Sequence, residues 1–104
     1  MLYFKKYDTD FGGKLIALCD SELLGHRYSE GKVVIDLETY AGFYKGDLLN
    51  EEEAEKRFTK DDVHSANIVG RRSVSIFLKK GIISKEDVRT VGEVPFVHVY
   101  RILS

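Results

Sequence analysis

The chain is poor in several residues that would mark particular classes of protein. It has one cysteine, one proline and no tryptophan in 104 residues. A single cysteine excludes an internal disulfide framework and a thiolate-rich zinc site. No apolar run approaches the roughly 18 residues that a membrane span needs, and the first residues lack the basic-then-apolar order of a signal peptide. We therefore expect a cytoplasmic protein.

Neither sign of charge is in excess. Sixteen basic and seventeen acidic side chains give a net charge of −1, so no field of the whole protein would attract nucleic acid or anionic lipid. Hydrophobic residues make up 43% of the chain and charged residues 32%, which are ordinary values for a globular domain. The length and the lack of a linker predict a single domain over residues 1–104.

Four segments have the pattern of β-strands. Residues 2–7 and 14–19 flank a stretch rich in turn formers, which predicts an antiparallel hairpin. The second of these runs is apolar from Leu15 to Cys19, as is typical of a strand that is covered on both faces. Residues 33–37 alternate between apolar and polar, and residues 96–102 predict a final strand.

One long helix is predicted in the second half of the chain, from Lys60 or Asp61 to Lys80. Apolar and small residues recur there at the three- and four-residue spacing of one helix face. These residues are Val63, Ala66, Gly70, Val74 and Phe77. Gly81 can take the left-handed conformation that ends a helix.

Shorter helical turns are predicted after Asp20, Asn50 and Ser84, because each side chain can accept hydrogen bonds from the free amides at a helix start. Gly25 can end the first of these turns. Together the segments predict an α+β fold. We expect a single compact domain in which the long helix packs on one face of a small mixed or antiparallel sheet of about four strands.

The predicted long helix also provides the first candidate site. On a helix, His64, Asn67 and Arg71 would converge into one polar strip. Ala66 and Gly70 lie beside this strip and lack the bulk that would keep another backbone or a flat ligand away. The alternative is tight packing of the helix on the sheet, in which Asn67 bonds a loop and Arg71 pairs with an acid.

A second candidate is electrostatic. Between Arg71 and Arg101 the chain has seven basic residues against three acidic ones. Together with Tyr40, Phe43, Tyr44 and Lys45 as possible stacking groups, these are ingredients of single-stranded RNA recognition, in which cations hold phosphate and aromatic rings stack on bases. The alternative is an apolar lid over the core, with bases that complement a helix dipole. The predicted binding residues are His64, Asn67, Gly70, Arg71, Arg72, Tyr44 and Lys45.

No catalytic residue, metal site or cofactor is predicted. Cys19 lies in a strand that is predicted to be buried, where a free cysteine is usually an inert hydrophobe. The three histidines are far apart along the chain, and none has a neighbour at metal-ligand spacing. Scattered histidines of this kind are more often hydrogen-bonded structural residues than ligands.

Four short motifs carry a resemblance to a known family. They are Cys19-Asp20-Ser21-Glu22-Leu23-Leu24-Gly25, Tyr28-Ser29-Glu30-Gly31, Ala66-Asn67-Ile68-Val69-Gly70 and Gly92-Glu93-Val94-Pro95. Their order and spacing resemble the small archaeal domain-of-unknown-function 424 family over nearly the whole chain. That family often has a histidine directly after the proline, where this chain has Phe96, so the resemblance implies no role for His98. It implies a cytoplasmic archaeal protein with no established reaction, cofactor or catalytic residue, and it invites a link to translation or RNA.

Three functions follow from these patterns. The leading hypothesis is a non-enzymatic binding module, an RNA- or ribosome-associated accessory that uses Asn67, Arg71 and nearby bases. The second is a structural or protein-interaction domain that forms a homodimer through Ala66 and Gly70. The third is an enzyme for a small anionic metabolite, in which Arg71 would clamp the anion and His64 would transfer a proton.

Overall fold

A computed structural model describes residues 1–10 and 12–100 of the chain. Eight strands and three helices follow one another in it. They are β1 (Leu2–Asp8), β2 (Lys14–Asp20), β3 (Arg27–Glu30), β4 (Val33–Asp36), α1 (Ala41–Tyr44), β5 (Asp47–Leu49), α2 (Glu51–Glu55), β6 (Val63–Val69), α3 (Arg71–Lys79), β7 (Arg89–Val91) and β8 (Val94–Tyr100). Short 3₁₀ turns occupy Ser21–Leu23, Lys60–Asp62 and Lys85–Asp87.

Six of the strands form one mixed sheet in the order β5-β1-β2-β6-β8-β7, and β3 and β4 form a separate hairpin. Within the sheet only β2 and β6 run parallel. The predicted α+β class is therefore confirmed; of the two kinds of sheet left open by the sequence the sheet is the mixed one, and it has six strands where about four were expected. Arg101 and Ile102, which the sequence places in the last strand, lie outside the described residues.

The sheet is covered on both faces, and strand β2 shows how. Its residues Ile16 and Leu18 pack in a core cluster with Phe77 of α3. The intervening Ala17 and Cys19 pack in a second cluster with residues of the β3–β4 hairpin and α1. Because successive side chains of a strand point to opposite faces, α3 lies on one face of the sheet and the hairpin on the other. The predicted β1–β2 hairpin and the central position of β2 are confirmed.

The prediction of one long helix over residues 60–80 is wrong. Val63–Val69 forms strand β6, Arg71–Lys79 forms helix α3, and Gly70 separates them with φ of 108°. No residue inside a helix adopts a positive φ of this size. The apolar spacing continues by coincidence from strand to helix, whereas the β-branched residues of 63–69 favour the strand. At nine residues, α3 is the longest helix in the described part of the chain, and none of the helices there could span a membrane.

Two of the predicted helix caps form as expected. The Asn50 side chain accepts from the Glu53 amide at 2.8 Å, and Glu53 accepts from the Asn50 amide at 3.1 Å, which completes a capping box at α2. Ser84 and Asp87 make the equivalent pair around the last 3₁₀ turn. Gly25 has φ of 91°, as predicted for the end of the turn at Ser21–Leu23.

Candidate functional site

A cleft lies where the two parallel strands end. Because β2 and β6 run in the same direction, their last residues, Asp20 and Val69, lie at the same edge of the sheet. After β2 the chain passes to the hairpin face, and after β6 it passes to the α3 face. Ligands of open α/β sheets bind at this kind of divergence, outside the carboxyl ends of parallel strands.

The buried carboxylate of Asp20 organises this edge. Asp20 is only 2% exposed. One of its oxygens accepts hydrogen bonds from the Ser73 amide at 2.9 Å and the Ser73 hydroxyl at 2.8 Å, and the other accepts from the Arg72 amide at 3.1 Å. These amides belong to the first turn of α3, so Asp20 satisfies donors that a helix leaves free at its start. Asp20 does act as a helix cap, but for α3 and not for the Ser21–Leu23 turn, to which its side chain makes no bond.

Gly70 makes room for that carboxylate. A Cβ atom built on Gly70 would stand 2.3 Å from Cγ of Asp20, far inside any tolerable contact. Its amide donates to the Pro95 carbonyl at 2.8 Å, and its carbonyl accepts the first helical bond of α3, from the Val74 amide at 2.9 Å. Gly70 thus joins β2, β6, β8 and α3 at one point.

Arg72 connects the edge to two further acids. Its guanidinium lies 2.6 Å from Glu22, 3.6 Å from Asp20 and 4.0 Å from Glu51. A hydrogen bond to its own backbone amide and the contact with Arg72 lower the pKa of Glu22. Glu22 and then Asp20 raise the pKa of Arg72. Arg72 is therefore a structural cation whose charge is already compensated by these acids.

Two other charged side chains at the cleft have no ion-pair partner among the described residues. Arg71 and Glu93 are both exposed, and neither side chain makes an ion pair or hydrogen bond with any residue in the ranges 1–10 and 12–100. They line the cleft together with half-buried apolar residues. Its volume is about 360 Å³, which lies within the range of small-ligand sites. The nine lining residues are Asp20, Glu22, Leu23, Gly70, Arg71, Arg72, Glu93, Val94 and Pro95.

Three of the four sequence motifs line this cleft, and the fourth contacts one of them. These three motifs, residues 19–25, 66–70 and 92–95, supply lining residues directly. The fourth contributes Glu30, whose carboxylate accepts from the Gly92 amide at 2.8 Å and so ties the β3–β4 hairpin to the β7–β8 turn. Segments that are distant along the chain thus come together in one place.

The predicted strip of His64, Asn67 and Arg71 does not form. His64 and Arg71 lie at opposite ends of β6, about 20 Å apart at roughly 3.3 Å per extended residue. His64 is 6% exposed, and its ring packs against Tyr100 with centroids 5.4 Å apart. Asn67 is half-buried in mid-strand, paired with Ala17 and His98. Of the predicted binding residues, the structure brings Gly70, Arg71 and Arg72 to the cleft.

Two of the three aromatic residues predicted to stack on bases are packed into the protein. Tyr44 is 7% exposed in the second core cluster, and burial raises the pKa of its hydroxyl to about 12. Phe43 stacks on Tyr7 with centroids 5.2 Å apart. Lys45 is exposed at the end of α1, away from the cleft. Phe43 and Tyr44 therefore pack as a lid over the core, the alternative that the sequence left open, whereas Tyr40 is 63% exposed.

Cys19 is buried in β2, as predicted. Burial raises the pKa of its thiol to about 12, with smaller contributions from Asp20 and Glu22. We expect its reaction with a disulfide reagent at neutral pH to be slower by roughly a thousandfold than in the urea-unfolded chain, because the thiolate is the reactive form. Labelling followed by absorbance checks this, and equally fast labelling of the folded protein would contradict it.

A cleft at the carboxyl ends of one parallel strand pair, in an otherwise antiparallel sheet, defines a class of small α+β domain. A family profile described as "Protein of unknown function (DUF424)" matches residues 7–102. The chain belongs to this family, and the resemblance drawn from the four motifs is confirmed.

One solved structure shares the fold. The chain is similar to an uncharacterized conserved protein from Methanopyrus kandleri, whose crystal structure aligns with a TM-score of 0.78. The alignment covers 95% of this chain and 90% of that chain at 21% sequence identity. No curated protein gave a match. In the part of the chain that the structure describes, no group of three or more His, Cys, Asp or Glu side chains could hold a metal ion.

Proposed function

We propose that the protein is a non-enzymatic binding module and that its cleft at the ends of β2 and β6 holds a short peptide. The peptide would carry one carboxylate and one cationic group around an apolar body. One observation supports this most: Arg71 and Glu93 are opposite charges without partners among the described residues, and they line the same cleft. The apolar side chains of Leu23, Val94 and Pro95 line the same cleft.

The charges at the cleft favour a ligand with both signs over an anion. Asp20, Glu22 and Glu93 supply three carboxylates against the two guanidinium groups of Arg71 and Arg72. Asp20 already occupies the amides at the start of α3, so that helix end offers little to a phosphate. A ligand with a single negative charge would meet Arg71 but also the uncompensated Glu93.

The basic residues after Arg71 give less support to RNA than the sequence suggested. Arg72 is paired with acids, Lys79 lies 3.5 Å from Glu55, and Lys80 donates to the Phe58 carbonyl at 2.9 Å. Arg101 lies outside the described residues. RNA binding is therefore the competing outcome of the experiment below, in which phosphate contacts would appear as affinity that falls steeply with salt.

The homodimer and enzyme hypotheses depended on residues that do not lie where those hypotheses require them. Ala66 is 1% exposed in the middle of the sheet, so it cannot form a helix contact between two copies. His64 and Arg71 do not share a cleft, so they cannot act together on one substrate. No histidine or cysteine lines the cleft that holds Arg71.

The test uses end-capped tripeptides with a central leucine, followed by nitrogen-15 chemical shifts of the protein. We expect the peptide with one lysine and one glutamate to bind roughly threefold to fivefold more tightly than the doubly anionic or doubly cationic peptide, the scale of an exposed ion pair. Shifts should concentrate at Gly70, Arg71, Gly92 and Glu93.

Charge-reversal variants of the protein test whether Arg71 and Glu93 determine the peptide preference. Arg71→Glu should turn the preference toward the doubly cationic peptide, and Glu93→Arg toward the doubly anionic one. The double variant R71E/E93R should regain the mixed preference and keep the melting temperature of the parent, because both side chains are exposed. Peptides that bind without regard to charge would overturn the proposal. Salt-sensitive binding of single-stranded RNA that Arg71→Glu abolishes would replace it.

A further inference from the structure

Strand β8 has an open edge. On one side β8 pairs with β6 along Phe96 to Tyr100. On its other side β7 pairs only with Val94, Pro95 and Phe96. The chain before β7 turns away in the 3₁₀ turn Lys85–Asp87, which is fixed by its own capping box. Half of β8 therefore has no neighbouring strand among the described residues.

The hydrogen-bond pattern shows which backbone groups are free at that edge. Gly70 donates to the Pro95 carbonyl, so the carbonyl of residue 95 points toward β6. In an antiparallel pair this direction alternates from residue to residue. Val97 and Val99 therefore also face β6, whereas the amides and carbonyls of His98 and Tyr100 face the open edge. No backbone bond to them is present within residues 1–10 and 12–100.

A groove runs beside these groups. It has a volume of about 570 Å³ and includes β8 residues from Phe96 to Tyr100. Its other walls are the isoleucines that follow α3, the 3₁₀ turn and the start of β7. The residues of these walls are Ile82, Ile83, Glu86, Asp87 and Arg89. The groove thus places two isoleucines and a largely polar surface next to unpaired backbone groups.

The charged residues that line the groove are net negative. Glu86 and Asp87 supply two carboxylates against the guanidinium of Arg89. A hydrogen bond from Ser84 lowers the pKa of Glu86, which keeps it ionised. Partial burial and then the charge of Arg89 lower the pKa of His98, which favours the neutral form of its ring.

We propose that this edge accepts an extended segment of another polypeptide, which adds to β8 as a further strand in line with β7. Unpaired amides and carbonyls in alternation are complementary to another strand. The acids of the groove select a segment that carries lysine or arginine between apolar residues. A second copy of β8 meets this requirement poorly, because Val97-His98-Val99-Tyr100 has no lysine or arginine.

The probe is an end-capped heptapeptide in which valine alternates with lysine. At saturation we expect hydrogen exchange of the His98 and Tyr100 amides to slow by about tenfold. Exchange of the Val97 and Val99 amides should not change, because these already face β6. Arg71→Glu should leave this binding intact, which separates the result from that at the cleft.

Two matched peptides test the mechanism. The same heptapeptide with alternate amides N-methylated keeps its charge but loses donors, and it should bind about tenfold more weakly. A version with glutamate in place of lysine should also bind more weakly. Equal binding of the N-methylated peptide, or no protection of His98 and Tyr100, would overturn the proposal.

Variants of the protein provide a further control. His98→Pro removes an outward amide without removing a bond to β6, and it should abolish the protection, whereas His98→Ala should retain it. If His98→Pro does not fold, the peptide comparison decides. Protection that appears without peptide and grows with protein concentration would assign the edge to a second copy, and protection by single-stranded RNA would assign it to nucleic acid. Either result would overturn the proposal.

Discussion

Gly70→Ala is expected to lower the free energy of unfolding by about 3 kcal/mol. Gly70 has φ of 108° and ψ of 157°, a region that only glycine adopts readily and that costs other residues roughly 1–3 kcal/mol. The added Cβ would also stand 2.3 Å from Cγ of Asp20, and overpacking of this kind typically costs about 1–3 kcal/mol. Urea unfolding followed by circular dichroism measures the change.

Gly25→Ala is the matched control. Gly25 has φ of 91°, but a Cβ built on it would meet nothing within 4 Å. Its substitution carries the backbone penalty without the clash, so we expect a loss of about 1–2 kcal/mol. Equal losses in the two variants would mean that the carboxylate of Asp20 does not pack against Gly70.

The conformation of Gly70 also explains why the prediction of one long helix over residues 60–80 was wrong. Periodic apolar residues from Val63 to Phe77 predicted one helix, and this pattern takes no account of the backbone conformation of the glycine in its middle. Within Val63–Val69 three of the seven residues are polar, so the sequence shows neither strict alternation nor a continuous apolar run, and it does not stand out as a strand. A mid-pattern glycine beside β-branched residues was the available sign of a boundary.

Asp20 was predicted as a helix cap from its neighbours in sequence, but the helix that it caps lies far along the chain. The sequence identified it as a helix cap, and it is one, but its amide partners lie more than 50 positions further along the chain. Local spacing cannot identify such a partner, because the parallel pairing of β2 and β6 alone brings Asp20 to α3. Arg71 and Arg72 reached the cleft for the same reason, although they were predicted on a different geometry.

There was less indication in the sequence that the remaining residues of the cleft and groove belong to a site. Glu93 and Pro95 belong to one of the four family motifs, but no binding role was predicted for either residue. Nothing in the sequence indicated the open edge of β8, because that edge arises from the three-residue length of β7. Whether a strand leaves an edge unpaired depends on the order of strands in the sheet, which the sequence alone left undetermined.

Asp20→Ala is expected to lower the free energy of unfolding by about 3–4 kcal/mol. The alanine would leave three donors of α3, the amides of Arg72 and Ser73 and the Ser73 hydroxyl, without their acceptor. A buried donor that loses its partner costs about 1–3 kcal/mol. Ser73 is fully buried, so water cannot replace the carboxylate there without opening the start of the helix.

Two variants distinguish this network from a general effect of charge. Asp20→Asn keeps one carbonyl oxygen that can serve the Ser73 donors, so we expect it to lose about half as much stability as Asp20→Ala. Glu22→Gln removes the exposed partner of Arg72, and the loss should be at most about 1 kcal/mol, as for other surface ion pairs. Urea unfolding ranks the three variants, and hydrogen exchange of the Ser73 amide should be faster in Asp20→Ala than in Glu22→Gln. If Glu22→Gln proved as damaging as Asp20→Ala, the stability of this edge would come from the ion pairs of Arg72, and the capping of α3 by Asp20 would be secondary.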